Sequence, residues 1–256
     1  MDFKAPQNKY SYTSREAAPV WMDLVRNILE IQQINQALDI GCGGGIYTKA
    51  LAAMGIPSVT GVDSSEIMLE AAAENCHGRQ GIQFHKGDAQ ETGLEAANCD
   101  LILERALIHH LQELKPCFSE AYRLLRPGGI LVIQDRTPED CLLPGSPEHI
   151  RGYFFSCFPR LAETEINRRH TSPQIMLNLE DCGFQDLEKH TLWEVRHVHE
   201  SKDKLLADIR ARAGRSILHA LEDDELEKLI LYMDDCITQE RYIVEMDRWT
   251  IWKAVK

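Results

Sequence analysis

The stretch Leu38-Asp39-Ile40-Gly41-Cys42-Gly43-Gly44-Gly45 constrains the fold more than any other part of this chain. It follows a short apolar run, Gln36–Ile40. It opens a helical pattern, Gly45–Met54, with apolar residues at Ile46, Ala50, Leu51 and Met54. Glycine lets the backbone turn tightly from strand to helix and lets a ligand come close to it. The unpaired N–H groups of a helix's first turn attract ligand oxygens. Four glycines within positions 41–45 exceed what a bare turn requires. A ligand-binding turn at the edge of a sheet is therefore expected here.

The first half of the chain alternates short apolar runs with helical patterns, which predicts a parallel sheet. Further strands are predicted at Ser58–Asp63, Ile82–Lys86, Asp100–Glu104 and Ile130–Asp135. Helices are predicted at Pro19–Glu30, Ser65–Cys76 and Lys115–Leu125, the last ended by Arg-Pro-Gly-Gly. The second half is less regular. Thr137–Thr171 contains Pro138, Pro144, Pro147 and Pro159 and reads as an irregular or partly helical insertion. A helix Pro173–Cys182, a strand Phe184–His197, helices Lys202–Arg212 and Glu222–Ile237, and a strand Trp249–Val255 follow. The class is α/β: a doubly wound, mostly parallel, seven-stranded sheet with an added helical cap. Residues 1–35 are read as an N-terminal helical segment and 36–256 as the main domain, with cap insertions at about 137–171 and 199–247.

Charge and cysteine usage narrow the partners. With 28 Lys+Arg against 40 Asp+Glu the formal net charge is −12, which argues against general nucleic-acid binding. No apolar run approaches the length that crosses a bilayer, and the N-terminus lacks a signal-peptide layout. The eight cysteines contain no C-x-x-C pair. They read as reduced, mostly buried thiols in a cytoplasmic protein, and no metal is expected.

The ligand follows from what stands after each strand. A dinucleotide fingerprint wants glycine at position 46, and Ile46 stands there. Asp63 ends the second strand, 20 residues after Gly43, where an acid suits ribose hydroxyls. Gly87-Asp88-Ala89 follows the third strand, Glu104 closes the fourth and Asp135 the fifth. Together with Gly-Val-Asp-Ser-Ser-Glu-Ile-Met, Leu-Ile-His-His-Leu and Leu-Leu-Arg-Pro-Gly-Gly, this order resembles the class I S-adenosylmethionine-dependent methyltransferases of the type 11 small-molecule group, from about Leu38 to Gln134. The resemblance implies a Rossmann-like methyltransferase fold, S-adenosylmethionine as cofactor with S-adenosylhomocysteine as product, and a small-molecule acceptor. It implies that Asp39 lies by the methionine end and that the Gly41 and Gly43 backbone passes under the cofactor. Asp63 would hold the ribose, Ser64 and Met68 would border the adenine, and Asp88 and Ala89 would take its amino edge. Glu104 would stand near the methionine ammonium or the transferred methyl; the other reading is an acid paired with Arg105.

Acceptor chemistry is less legible. His109 and His110 follow the fourth strand and are the candidates for a general base, with structural packing as the favoured alternative. Lys9-Tyr10-Ser11-Tyr12 reads either as a lid or as a frayed terminus. Tyr153–Arg160 reads as an acceptor wall or as packing against the sheet. Arg212 and Arg215 read as an anion grip or as a solvated turn, and Arg168-Arg169-His170 as a solvated basic loop. Both cap insertions are expected to cover the acceptor. A non-catalytic S-adenosylmethionine-binding protein and a nicotinamide-dependent oxidoreductase are the competing functions.

Overall fold

The computed structural model describes residues 16–29 and 33–256. Lys9–Tyr12, read as a lid or frayed end, lies outside them. The chain divides into two compact units: residues up to 135 with 172–190 and 250–256, and residues 136–171 with 191–249.

The first unit holds the sheet. Its elements run α1 (Pro19–Leu29), β1 (Gln36–Ile40), α2 (Ile46–Ala53), β2 (Ser58–Asp63), α3 (Glu66–Asn75), β3 (Ile82–Lys86), β4 (Cys99–Arg105), α4 (Lys115–Leu124) and β5 (Leu125–Asp135). After the short α5 (Pro138–Cys141), α6 (Arg151–Cys157) and α7 (Leu161–Asn167) of the second unit come α8 (Ser172–Asp181) and β6 (Gln185–Ser201). The chain closes with α9 (Lys202–Arg210), α10 (Asp223–Cys236) and β7 (Arg241–Val255). The strand order is β3-β2-β1-β4-β5-β7-β6. β1 to β5 pair in parallel, and β7 pairs antiparallel to β5. The order reverses between β1 and β4, and the crevice beyond the carboxyl ends of strands at such a switch point is where α/β sheets bind ligands.

Each unit has its own apolar core. In the first, Leu38, Ile40, Ile102, Leu131, Ile133 and Trp252 pack with Phe118 and Leu124 of α4 and Ile175 and Leu179 of α8. In the second, Phe154 and Leu161 pack with Leu205, Ile209, Leu226, Leu229 and Met233 of the helical pair α9 and α10. None of the eight cysteines is in a disulfide. No described helix is long and apolar enough to cross a membrane.

The largest departures from the sequence reading fall at three boundaries. β5 begins at Leu125 because Arg126–Gly129 stays within the ladder as a bulge, with Gly128 at φ 79 donating its N–H to the Lys256 carbonyl. β6 runs past His197 to Ser201, and β7 begins at Arg241, not Trp249. The inward positions of that extra β7 stretch are Ile243, Glu245 and Asp247. Two acids on the buried face hide the apolar alternation that marks a strand.

Candidate active site

The glycine turn hangs from the end of β2. Gly41 and Cys42 N–H both donate to the Val62 carbonyl, at 2.8 and 3.0 Å. Gly41 has φ 75, and a Cβ there would meet Leu107 Cδ1 at 2.9 Å. Gly45 caps α2 with φ 76, and its Cβ would press on Ala72 at 3.0 Å. Both positions need glycine twice over, for the left-handed backbone and for the close approach.

Asp63 locks this turn. Its Oδ2 accepts from Gly43 N–H and its Oδ1 from Ser65 N–H, each at 2.9 Å. Each carboxylate oxygen keeps a second lone pair for a ligand hydroxyl. Ser65 in turn caps α3, accepting from Met68 N–H. Ser64 is exposed. Met68 is buried, and a Cβ on Gly43 would meet its Cε at 3.6 Å, so it supports the turn from below. Asp88 is exposed, and its Oδ1 accepts from Gln90 N–H at 2.9 Å, a local turn; Ala89 packs against the core.

Two carboxylates beside the turn are buried without a dominant cation. Asp39, 2% exposed, accepts from the Thr48 hydroxyl at 2.6 Å. Burial pushes its pKa up to about 6, against the lowering effect of the Thr48 hydrogen bonds. Glu104, 1% exposed, sits under α4, where Cys117 Sγ–H donates to Oε1 at 3.3 Å. Its Oε2 has no partner among the described residues. Burial pushes its pKa up to about 7. The reading of Glu104 as Arg105's partner fails, because Arg105 turns elsewhere. Its Nε donates to Gln134 Oε1 at 3.1 Å and its guanidinium lies 4.0 Å from the Tyr47 ring centroid.

Sequence reasoning missed this cluster. Trp21 of α1 donates to the same Gln134 oxygen at 2.6 Å and packs edge-on against Tyr47. Helix α1 is thereby tied to the carboxyl ends of β4 and β5. Gln134, between the recognisable acids, offered no signal of its own. His109 is placed by a neighbour: its Nδ1 lies 2.8 Å from Asp135 Oδ2, and its backbone N–H donates to the same oxygen. The Asp135 side chain is 3% exposed and that of His109 20%. An acidic acceptor fixes hydrogen on Nδ1 and leaves Nε2 as the nitrogen able to take a proton. His110 stacks on His109 with centroids 4.0 Å apart.

The basic candidates of the second unit prove structural. Arg212 donates to the Leu218 and Leu221 carbonyls and to Asp223. Arg215 is buried and pairs with Glu245 at 2.5 Å. Neither is a solvated turn residue nor a waiting anion grip. Arg168 and Arg169 both bind the buried Glu165, so that loop is not solvated either. Phe154 is buried, and Phe155 and Phe158 pack against the same helical core, not against the sheet.

A switch-point turn of this form, in a seven-stranded sheet whose seventh strand is antiparallel, defines the class I methyltransferase fold. The comparisons agree. Residues 38–133 match the family model described as a methyltransferase domain. The phosphoethanolamine N-methyltransferase of Triticum aestivum is 27% identical over 192 residues, 71% of this chain and 36% of that protein. The demethylmenaquinone methyltransferase of Staphylococcus aureus is 31% identical over 121 residues, 46% of this chain and 50% of that one. The chain thus spans from a third to a half of the length of the curated relatives it matches. Among solved structures, phosphoethanolamine N-methyltransferase 2 of Haemonchus contortus in complex with S-adenosyl-L-methionine superposes with a TM-score of 0.60 at 20% identity. That match covers 100% of this chain and 60% of the other, and it carries the fold.

Proposed function

We propose that this protein is an S-adenosylmethionine-dependent methyltransferase that methylates a small-molecule acceptor by in-line displacement. The observation that carries this reading is the Gly41–Gly45 turn, held over the switch point by Asp63 through Gly43 N–H. The residues present fit the cofactor. Asp63 has lone pairs to spare for ribose hydroxyls, Ser64 and Asp88 are open to solvent, and the buried Asp39 lacks the cation that a methionine ammonium and sulfonium would supply. S-adenosylmethionine, when bound, supplies the methyl group on a sulfonium. Gly41 and Gly43 bring their backbone under it, with Met68 as their support. Asp39 and Glu104 provide negative charge near the methionine end, Glu104 from behind the strand. Asp88 and Ala89 flank the adenine.

Alignment and exclusion of water are the main catalytic work of such a site. For an acceptor that must lose a proton, His109 Nε2 is the base, oriented by Asp135. A small acceptor is favoured because the relatives sharing this domain are named for phosphoethanolamine and demethylmenaquinone. The test is calorimetry with S-adenosylmethionine, S-adenosylhomocysteine and NAD, followed by turnover against a metabolite pool. Binding of the first two and product formation are expected. Tight NAD binding without S-adenosylmethionine binding overturns the reading; cofactor binding with no turnover of any acceptor makes the chain a binding protein instead.

A further inference from the structure

Strand β6 and helix α9 of the second unit bring together three groups that the proposed methyl transfer does not use. His197 and His199 stand two apart on β6 and so share one face of the strand. Asp208 stands on α9. One ligating atom from each of the three lies within 4.8 Å of the other two.

His199 is the informative member, because its side chain is 1% exposed. Its Nε2 lies 3.0 Å from Glu245 Oε2. Arg215 and Arg196 also hold Glu245, at 2.5 and 3.3 Å. A carboxylate only accepts, so Nε2 carries a hydrogen and Nδ1 is the nitrogen left to bind a cation, whether a proton or a metal ion. Nδ1 is buried and makes no hydrogen bond among the described residues. The atom 3.6 Å from it is Asp208 Oδ2, a second acceptor. A buried lone pair set against a carboxylate needs a cation between them.

We propose that His197, His199 and Asp208 form a zinc site, with Glu245 orienting His199 from behind. Metal-bound histidines commonly donate their other ring N–H to a carboxylate, which is the relation seen here. Two imidazoles and one carboxylate suit zinc; magnesium and calcium prefer oxygen donors alone. Donor-to-donor edges in a tetrahedral zinc site are about 3.4 Å, so the ligands must close by roughly 1 Å. His197 is exposed and the Asp208 side chain 46% exposed, so both can swing in while His199 stays fixed. Three protein ligands leave a fourth position for water. The ion would clip β6 to α9. The sequence expectation of no metal rests on the missing C-x-x-C pairs, and a His-x-His on a strand escapes that criterion.

The experiment is calorimetry of the full chain with zinc chloride, and with His197→Ala and Asp208→Asn. His197 is exposed and Asp208 partly so, and Asp208→Asn keeps the side chain's shape, whereas His199→Ala removes a buried side chain. One zinc per chain is expected, with no heat from magnesium or calcium. Each variant should lose at least tenfold in affinity. Cobalt(II) should give the visible bands of a four-coordinate site without thiolate-to-metal absorption, which separates this site from the free cysteines. Absence of zinc binding overturns the proposal and leaves a proton as the bridging cation. Undiminished zinc affinity in either variant, or a thiolate band, also overturns it.

Discussion

Two pairs of buried carboxylates, Asp39 and Glu104 in the first unit and Glu165 and Asp247 in the second, behave in opposite ways, and Glu120 of the first unit, held low by Arg123 and Thr92, goes with the second pair. In the first unit, burial pushes Asp39 up to about 6 and Glu104 up to about 7. In the second, burial would also raise Glu165, but Arg151, Arg169 and Arg168 surround it and bring it down to about 2. Asp247, paired with Arg136 at 3.0 Å and Arg196 at 3.6 Å, is likewise held well below the carboxylate range. The difference is arginine. A buried carboxylate that has its guanidinium is architecture. One that lacks it is energetically incomplete, and beside the glycine turn that suits a cationic ligand.

The largest test of this contrast is Glu165→Gln. It leaves three guanidinium groups without their buried counter-charge, and breaking such a group costs roughly 3–5 kcal/mol. Urea unfolding should show that loss, while Glu104→Gln at pH 8 should be neutral or stabilising. Equal losses from the two would erase the distinction.

Next comes pH. Asp39 and Glu104 bind protons more tightly folded than unfolded. The stability they contribute is full below about pH 4 and is lost as pH rises through about 6 and 7. At about 1.4 kcal/mol per tenfold change in proton affinity, the effect is roughly 3 kcal/mol apiece at most. Glu165 and Asp247 have the opposite sign: their contribution is present above about pH 4.5 and is lost as pH falls towards 2. Unfolding free energy measured from pH 5 to 8 should fall in the native chain and flatten in the Asp39→Asn/Glu104→Gln double variant. A rise over that range contradicts the assignment of the first pair.

Asp63→Ala should weaken S-adenosylhomocysteine binding at least tenfold, since charged hydrogen bonds are worth roughly 1.5–3 kcal/mol each. From its position at a strand end, little change in stability would be expected. Its bonds to Gly43 and Ser65 N–H imply a stability loss as well, of roughly 1–3 kcal/mol. Calorimetry and thermal melting read the two separately, and unchanged affinity in a folded variant removes Asp63 from the ribose role. The smallest expected effects compare helix caps. Ser65→Ala in the first unit and Thr137→Ala in the second should each cost about 1 kcal/mol. A much larger loss at Thr137 would mean that its capping box with Asp140, which also binds Arg248, is part of the ion network.

The sequence alone determined β1, β2 and β3 to the residue and the glycine turn, because each is a local event. A turn, a strand period or a cap is decided by residues within a few positions of one another. Tertiary structure alone decided the fate of the charges. Arg215 meets Glu245 thirty positions away, Arg105 meets Gln134 twenty-nine away, and His109 meets Asp135 twenty-six away. The early part of β7 was hidden for the same reason, since Glu245 and Asp247 can face inward only where Arg215, Arg196 and Arg136 wait for them. Whether a charged side chain is solvent-facing, structural or poised for a ligand depends on which opposite charge shares its low-dielectric surroundings, and that pairing is made by the fold.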